Sequence, residues 1–397
     1  MSKQKRVLLG DRDMRHVSWM LLTGLLACGT ETRTPPFLTT IDTLDGVVHV
    51  VNAGDPPTWE LRLMVTVGSE DEGPDAFGNV TSVLLDDSGY VYVADRQAQQ
   101  IQVFGLDGKY RRTIGRQGSG PGEFRDLVSI AWVGDTLAGL DWRNARIGLF
   151  NRAGEWLGLW RSQSFTGANV RLYRTSATHV SAIVARRAGD NLEVVYVEYS
   201  ATGPGDSVPT PKYEMTGPRG PLCRLAGNGG ISFFDIPFGS RFMHTPAPGG
   251  TIATVITAQY KIAFLAATGD TVRVVEREYV NLPITDAEWE DGTAYYREFL
   301  DTWGKGSSCE PKTLERPGAK PAIRSIMFDP DGGMWVESYS DSGFVFDVFD
   351  DSGRLQASVP VPPRHVRVEP YVRNGRLVLV ERDSLDVQYV KVFEIAN

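Results

Sequence analysis

Residues 85–110 read LDDSGYVYVADRQAQQIQVFGLDGKY. Two β-rich runs, YVYVAD and QIQVF, stand between a DDSG turn and an LDGK turn. Val, Tyr, Ile and Phe favour extended strands, and Gly with Asp closes tight hairpins. The same layout returns in WVGDTLAGLDWRNARIGLFNRAGEW, residues 132–156. Asp95 and Asp141, Ile101 and Ile147, Phe104 and Phe150, and Gly108 and Gly154 are each 46 residues apart.

The kernel of this unit is an apolar residue, a second one three later, and a glycine four after that. It occurs at Ile101/Phe104/Gly108, Ile147/Phe150/Gly154, Tyr196/Tyr199/Gly203, Ile262/Leu265/Gly269 and Phe346/Phe349/Gly353. A sixth copy, Val390/Phe393, lies at the end of the sequence. Each copy reads as strand, turn, strand, loop, strand, glycine turn, strand. Six such units predict an all-β fold: a six-bladed β-propeller with four antiparallel strands per blade. A β-sandwich also has short strands at regular spacing, but nothing in it demands a 46-residue register. GSEDEGPDAF (68–77) also repeats as GRQGSGPGEF (115–124). The second copy follows the outer strand of a blade. The strand before the first copy belongs to no blade, and the sixth unit lacks its fourth strand. Residues 60–67 are therefore expected to complete the last blade, close the ring and remove its open edge.

VYVADRQAQQIQVFGLDGKYRRTIGRQGSGPGEF, Val91 to Phe124, resembles an NHL repeat, with its YVAD strand, VF strand, DG turn and glycine-spaced connector. Asn144-Ala145-Arg146-Ile147 keeps three residues of the Asn-His-Arg-Ile stretch of that family. Gln99-Gln100-Ile101 keeps only the last. The tether followed by TTIDTLDGVVHVVN also looks like the six-bladed lipoprotein propellers of environmental bacteria. The resemblance implies the fold. It leaves function open, because NHL-type propellers include sensors, protein- and RNA-binding modules and a few lyases.

VSWMLLTGLLA, residues 17–27, is an apolar run behind Arg15 and His16. It is too short to span a bilayer and fits the core of a signal peptide. It ends in Leu25-Leu26-Ala27-Cys28, which resembles a bacterial lipobox with Cys28 as the lipidated residue. The expected organisation is a signal peptide at 1–27, a lipidated cysteine and polar tether at 28–45, and a propeller at 46–397. Such a protein is exported and membrane-anchored, and faces the periplasm or the cell exterior. The chain carries 41 basic and 49 acidic residues, a net charge of −8. That balance argues against a nucleic-acid partner. Three cysteines in 397 residues exclude a disulfide-dense scaffold.

Residues 281–322, between the fourth and fifth units, carry no blade pattern. Thr285-Asp286-Ala287-Glu288 is a capping box, and Trp289, Tyr296, Phe299, Leu300 and Trp303 follow at helical spacing. A short helical insertion that caps or flanks one mouth of the ring is expected there. Cys223 and Cys309 lie in the connections on either side of the fourth unit. In an oxidising compartment a disulfide between them would tie the insertion down, two separate thiols being the alternative.

Motifs for catalysis are missing: the sequence has no G-x-S-x-G elbow and no H-E-x-x-H. GRQGSGPG has Pro121 where a P-loop needs lysine. Asp329-Pro-Asp331-Gly-Gly lacks the remaining ligands of a calcium loop and matches a hairpin turn. His244 and His365 are placed in innermost strands, facing the central channel. Asp95 and Asp141 end second strands, as structural contacts. Arg96, Trp142 and Arg143 follow them and are expected on the rim of one mouth, where Arg and Trp suit binding. Two functions follow. One is a non-catalytic binding, sensor or scaffold module without cofactor, a monomer whose partner is a protein, peptide or glycan of the cell envelope. The other is a hydrolase or lyase of the lactonase or amidoglycolate-lyase kind, holding a divalent metal in the channel through His244, His365 and further ligands.

Overall fold

The computed structural model describes residues 37–396 except 163–164, 166–169, 190, 214–219, 226–229 and 303–306. Cys28 and the signal segment lie outside the described residues. Alternating apolar strands and glycine turns fold into six blades of four antiparallel strands each; five are separate four-stranded sheets and the fourth is part of a six-stranded sheet. Blade 1 comprises Val80–Leu85, Val91–Asp95, Gln100–Phe104 and Tyr110–Ile114. Blade 2 comprises Leu127–Val133, Thr136–Asp141, Arg146–Phe150 and Trp156–Arg161. Blade 3 runs through Tyr173–Arg174, Val180–Ala188, Asn191–Ser200 and Gly203–Pro209. Blade 4 runs through Phe242–Ala247, Thr251–Ile256, Lys261–Leu265 and Thr271–Arg277. Blade 5 is Ser325–Phe328, Met334–Ser340, Gly343–Phe349 and Leu355–Val361. Blade 6 takes Tyr371–Arg373, Arg376–Arg382 and Gln388–Ala396 from the end of the sequence and Glu60–Val67 from near its start.

The ring closes through that last strand. Glu60–Val67 runs antiparallel to Gln388–Ala396, with Val65 opposite Val392 and Thr66 opposite Lys391. The first strand of blade 6 touches that of blade 1, as the first strands of other neighbouring blades touch. In a closed ring of six, blades 3 and 6 face each other across the channel. The apolar cores lie between blades, because each sheet buries both faces against its neighbours. Tyr92, Ile101, Phe124, Leu127 and Phe150 pack blade 1 on blade 2. Val93, Phe104, Val378, Val390 and Val392 pack blade 6 on blade 1.

The repeated glycine takes a positive φ in every blade that carries it, and at two of them a steric cause is added. Gly154, at φ 91°, turns from the third to the fourth strand of blade 2. A Cβ placed there would lie 2.7 Å from Ile114 Cγ1, on the outer strand of blade 1. Gly353 meets Val275 of blade 4 in the same way, at 2.6 Å. The turn between the third and fourth strands thus leans on the preceding blade.

Two parts of the fold differ from expectation. Residues 38–45 were expected in a polar tether; instead Leu38–Leu44 is a strand, paired with Val47–Ala53. The turn between them is Asp45-Gly46, with φ of 50° and 82° at the two positions. Positive φ at both is the type I′ geometry that matches strand twist, and Asp-Gly is a preferred sequence for it. The hairpin extends blade 4 to six strands, because Val47–Ala53 pairs parallel with Thr271–Arg277. Asn52 locks it down. Its amide donates to the carbonyls of Glu276 and Gly353 (3.1 Å each), and its oxygen accepts from Leu355 N (2.9 Å) and Thr39 Oγ1 (2.7 Å).

The second is the extent of the insertion. The helix, Asp286–Thr302, begins with the expected capping box: Glu288 N donates to Thr285 Oγ1 (3.2 Å) and Thr285 N to Glu288 Oε2 (2.9 Å). It is one part of a module built from two connections. Leu222–Arg224 and Ile231–Phe233, between blades 3 and 4, form a three-stranded sheet with Ser308–Glu310, between blades 4 and 5. Cys223 and Cys309 stand opposite each other in this sheet and are joined by a disulfide, S–S 2.05 Å. Tyr296 and Phe299 of the helix bury against that disulfide with Phe234.

Candidate functional site

In an antiparallel blade the loop between the second and third strands and the connector entering the first strand share one face of the disk. The remaining turns share the other. Arg96, Trp142 and Arg143 all follow second strands, so they lie on the connector face. Two buried aspartates hold that face together. Asp95 accepts from Gly78 N (2.9 Å), Asn79 N (3.0 Å) and Gln97 N (2.8 Å). Asp141 accepts from Asp126 N (3.1 Å), Asn144 Nδ2 (2.7 Å) and Arg146 Nε (3.3 Å). Each ties the end of a second strand to the connector entering its own blade, which is the structural role expected of them.

The rim residues meet at Asp126, a buried carboxylate that follows Phe124 in the connector to blade 2. Arg96 of blade 1 binds it with both prongs of its guanidinium, Nε at 2.5 Å and Nη2 at 3.0 Å. Arg143 of blade 2 reaches the same carboxylate only at 3.8 Å, and 66% of its side chain is exposed. Trp142 N donates to Asp126 O (2.9 Å) and its indole Nε1 to Phe165 O (3.1 Å). The residue remains 43% exposed. Two cations on one carboxylate leave a local excess of positive charge. Arg96 spends Nε and Nη2 on the bidentate pair, while Arg143 is held only loosely and follows Trp142 in the same loop. That pairing suits an anionic group on a flat or apolar body.

The channel is crossed. Arg171 precedes the first strand of blade 3 and Glu369 the first strand of blade 6. They pair across the ring at 2.5 Å. Arg174 Nη1 donates to Tyr371 Oη between the same blades (3.4 Å). The two charged side chains keep 30% and 37% of their surface open. Burial pushes the Glu369 carboxyl above its usual range, and the Arg171 and Arg364 guanidinium groups oppose that shift.

Among the described residues the histidines are not gathered into a metal site. His244 lies in the first strand of blade 4, as expected, but its Nδ1 is 2.7 Å from Tyr196 Oη of blade 3. Burial lowers its pKa, so the ring is neutral near pH 7. His365 was expected in an innermost strand. It sits instead in the loop before Tyr371–Arg373, its N–H bonded to Val380 O at 2.6 Å. Among the described residues no three His, Cys, Asp or Glu side chains converge as metal ligands. Asp329-Pro-Asp331 is the hairpin turn expected of it: Asp329 Oδ1 accepts from Asp331 N (3.0 Å) and Gly333 N (2.8 Å). Asp126, Arg171 and Glu369 were not singled out from the sequence, since no repeat position marks them.

The module of helix and disulfide rises from the connector face as well. Tyr279 Oη donates to Tyr339 O (2.8 Å), and Lys320 Nζ lies over the Tyr339 ring, in the second strand of blade 5. It therefore flanks the mouth on the side of blades 4 and 5, and the Arg96–Asp126–Arg143 cluster stands at blades 1 and 2.

No curated protein matches this sequence. Among solved structures, a member of the DUF4221 family from Bacteroides vulgatus is similar at 10% identity and a TM-score of 0.45, covering 85% of this chain and 99% of that one. Virginiamycin B lyase from Staphylococcus aureus is similar at 10% identity and a TM-score of 0.38, covering 83% and 98%. Regucalcin, a calcium-binding protein from Agrobacterium tumefaciens, is similar at 11% identity and a TM-score of 0.35, covering 86% and 97%. Residues 75–137 match the sequence profile of the DUF5128 family, described as a 6-bladed beta-propeller, which agrees with the six blades found here.

Proposed function

We propose that the chain is an exported propeller, anchored to a membrane through lipid on Cys28, that acts as a binding module for a cell-envelope ligand. The ligand class is a protein, peptide or glycan segment that offers an anionic group to Arg143 and an apolar face to Trp142. The observation that carries this is the exposure of Arg143 and Trp142, consecutive residues of a loop tied to Asp126 through the Trp142 backbone on the connector face. The ion pair that spans the channel supports recognition at the rim, because it occupies the axis where a channel ligand would have to sit. A lipid tether would hold such a disk near the membrane surface, within reach of envelope polymers.

Arg143→Ala removes an exposed side chain, and Trp142→Ala removes the ring of a half-exposed residue together with its bond to Phe165 O. Each is expected to weaken capture of the partner from a cell-envelope extract by about tenfold, with the melting temperature nearly unchanged in Arg143→Ala and lowered by a few degrees in Trp142→Ala, which also loses the indole bond. Capture by wild-type protein should also fall with added salt. Undiminished capture by both variants would reject the rim as the site. Cys28→Ala is expected to abolish lipid labelling and release the protein from the membrane fraction; retention there without lipid would reject the anchor.

A further inference from the structure

The ring is closed by strands from opposite ends of the sequence, so blade 6 has no turn between its third and fourth strands. In blades 2 and 5 that turn carries the glycine that leans on the outer strand of the preceding blade. Against the outer strand of blade 5, Leu355–Val361, the corresponding turn is absent, and a cleft of about 450 Å³ opens there. Its floor is apolar: Trp335, Val348, Val372 and Ile395. Trp59, from the segment leading into the closing strand, forms a wall, held by its N–H on Ser358 O (3.0 Å).

Carboxylates outnumber cations in the lining of this cleft. Asp329, Asp331, Asp350 and Asp351 all line it. The single basic residue in the lining, Arg373, is paired with Asp87 of blade 1, with contacts of 2.6 and 2.7 Å, and beside the cleft Arg273 of blade 4 spends Nη1 on the Asp351 carbonyl (2.6 Å). Asp329 and Asp350 are engaged by their own turns and by Trp335 and Gln356. Asp331 and Asp351 are exposed. No three of these carboxylates converge as metal ligands among the described residues. An apolar floor, an indole wall and dispersed carboxylates complement a cation whose charge is carried on an organic body.

We propose that this seam between blades 5 and 6 is a second binding site, on the face opposite the Arg96–Arg143 rim, for a small organic ammonium ligand. The ammonium lies toward Asp331 and Asp351 and the apolar body rests on Trp59 and Trp335. The site is independent of rim binding, since it uses other blades and the other face.

Benzylammonium and its neutral counterpart benzyl alcohol are the probes, titrated into the full chain at low salt and followed by tryptophan fluorescence and ligand-detected NMR. Benzylammonium is expected to bind with a Kd of roughly 1 mM, about tenfold tighter than benzyl alcohol. The Asp331→Asn/Asp351→Asn double variant, altered only at exposed positions, should lose about three- to tenfold in affinity at an unchanged melting temperature. Trp59→Phe should lose most of the fluorescence response while still folding. Equal binding of the two probes, unchanged affinity in the double variant, or no binding at about 20 mM would each overturn the proposal. Displacement of benzylammonium by an equimolar calcium salt would overturn it in favour of a metal ion.

Discussion

Asn52 shows how much one side chain can carry. It is fully buried, and its amide satisfies two carbonyls and one N–H from blades 4 and 5. Asn52→Leu keeps the volume but leaves those groups unpaired in the interior. It should cost about 2–3 kcal/mol, measured by denaturant unfolding. A loss below about 0.5 kcal/mol would mean that the hairpin is not docked through this residue. Glu288 makes a different residue-level claim. The Lys320 ammonium, then Thr285 N, lower its carboxyl from an ordinary 4.5 to about 2. A carboxylate with a depressed folded pKa stabilises above its unfolded value and loses that contribution as pH falls through the folded one. Helix docking should therefore weaken between about pH 4.5 and 2. In Glu288→Gln, which stays neutral, near-ultraviolet circular dichroism should show a shallower acid dependence over that window; an unchanged profile would remove Glu288 from the interaction. Single residues were also where the sequence was least informative. Arg96, Trp142 and Arg143 were legible as rim residues because they follow a repeated aspartate. Asp126, which gathers them, occupies no repeated position. Arg171 and Glu369 are 198 positions apart in the two blades whose first strands are shortest, so no local pattern links them.

At the scale of elements, what the sequence disclosed was what repetition or a local rule enforces. The glycine after the third strand recurs because the turn takes a positive φ there, from 74° at Gly108 to 109° at Gly203, with the preceding blade also leaving no room for a Cβ at Gly154 and Gly353, and the capping box marks the helix start because its two hydrogen bonds are local. The Leu38–Leu44 strand was hidden by its Thr- and Asp-rich composition, although Asp45-Gly46 is a hairpin signal. The three-stranded sheet of the insertion was hidden because its strands are three residues long and come from two separate connections. The disulfide in that sheet closes 86 residues of sequence. For a loop of that length the chain-entropy account gives about 4–5 kcal/mol as an upper bound. Blade 4 lies inside the loop and already orders much of it, so the effect should be local. Cys223→Ser/Cys309→Ser is expected to leave the propeller folded and to speed proteolysis within 281–322 by about tenfold or more. Equal protection with and without the disulfide would show that apolar packing of Tyr296 and Phe299 alone holds the module.

At the scale of the whole molecule, the fold rests on closure. The Arg171–Glu369 pair can bridge blades 3 and 6 only if the ring is complete. Arg171→Met leaves a carboxylate enclosed in the channel and should cost about 1–3 kcal/mol, less than for a fully buried pair because channel water reaches it. Arg171→Met/Glu369→Met should recover most of that loss in a double-mutant cycle; strictly additive losses would mean that the two do not meet. The rim, the seam cleft and the crossed channel all depend on residues 60–67 serving as the outer strand of blade 6. That is tested most directly by placing cysteines at Thr66→Cys and Lys391→Cys, which are paired across the closing strands. After mild oxidation, peptide mapping by mass spectrometry should find the 66–391 bond within one chain and a raised melting temperature. If the 66–391 bond forms only between chains, or not at all while the native Cys223–Cys309 bond is intact, the ring is not closed in this way.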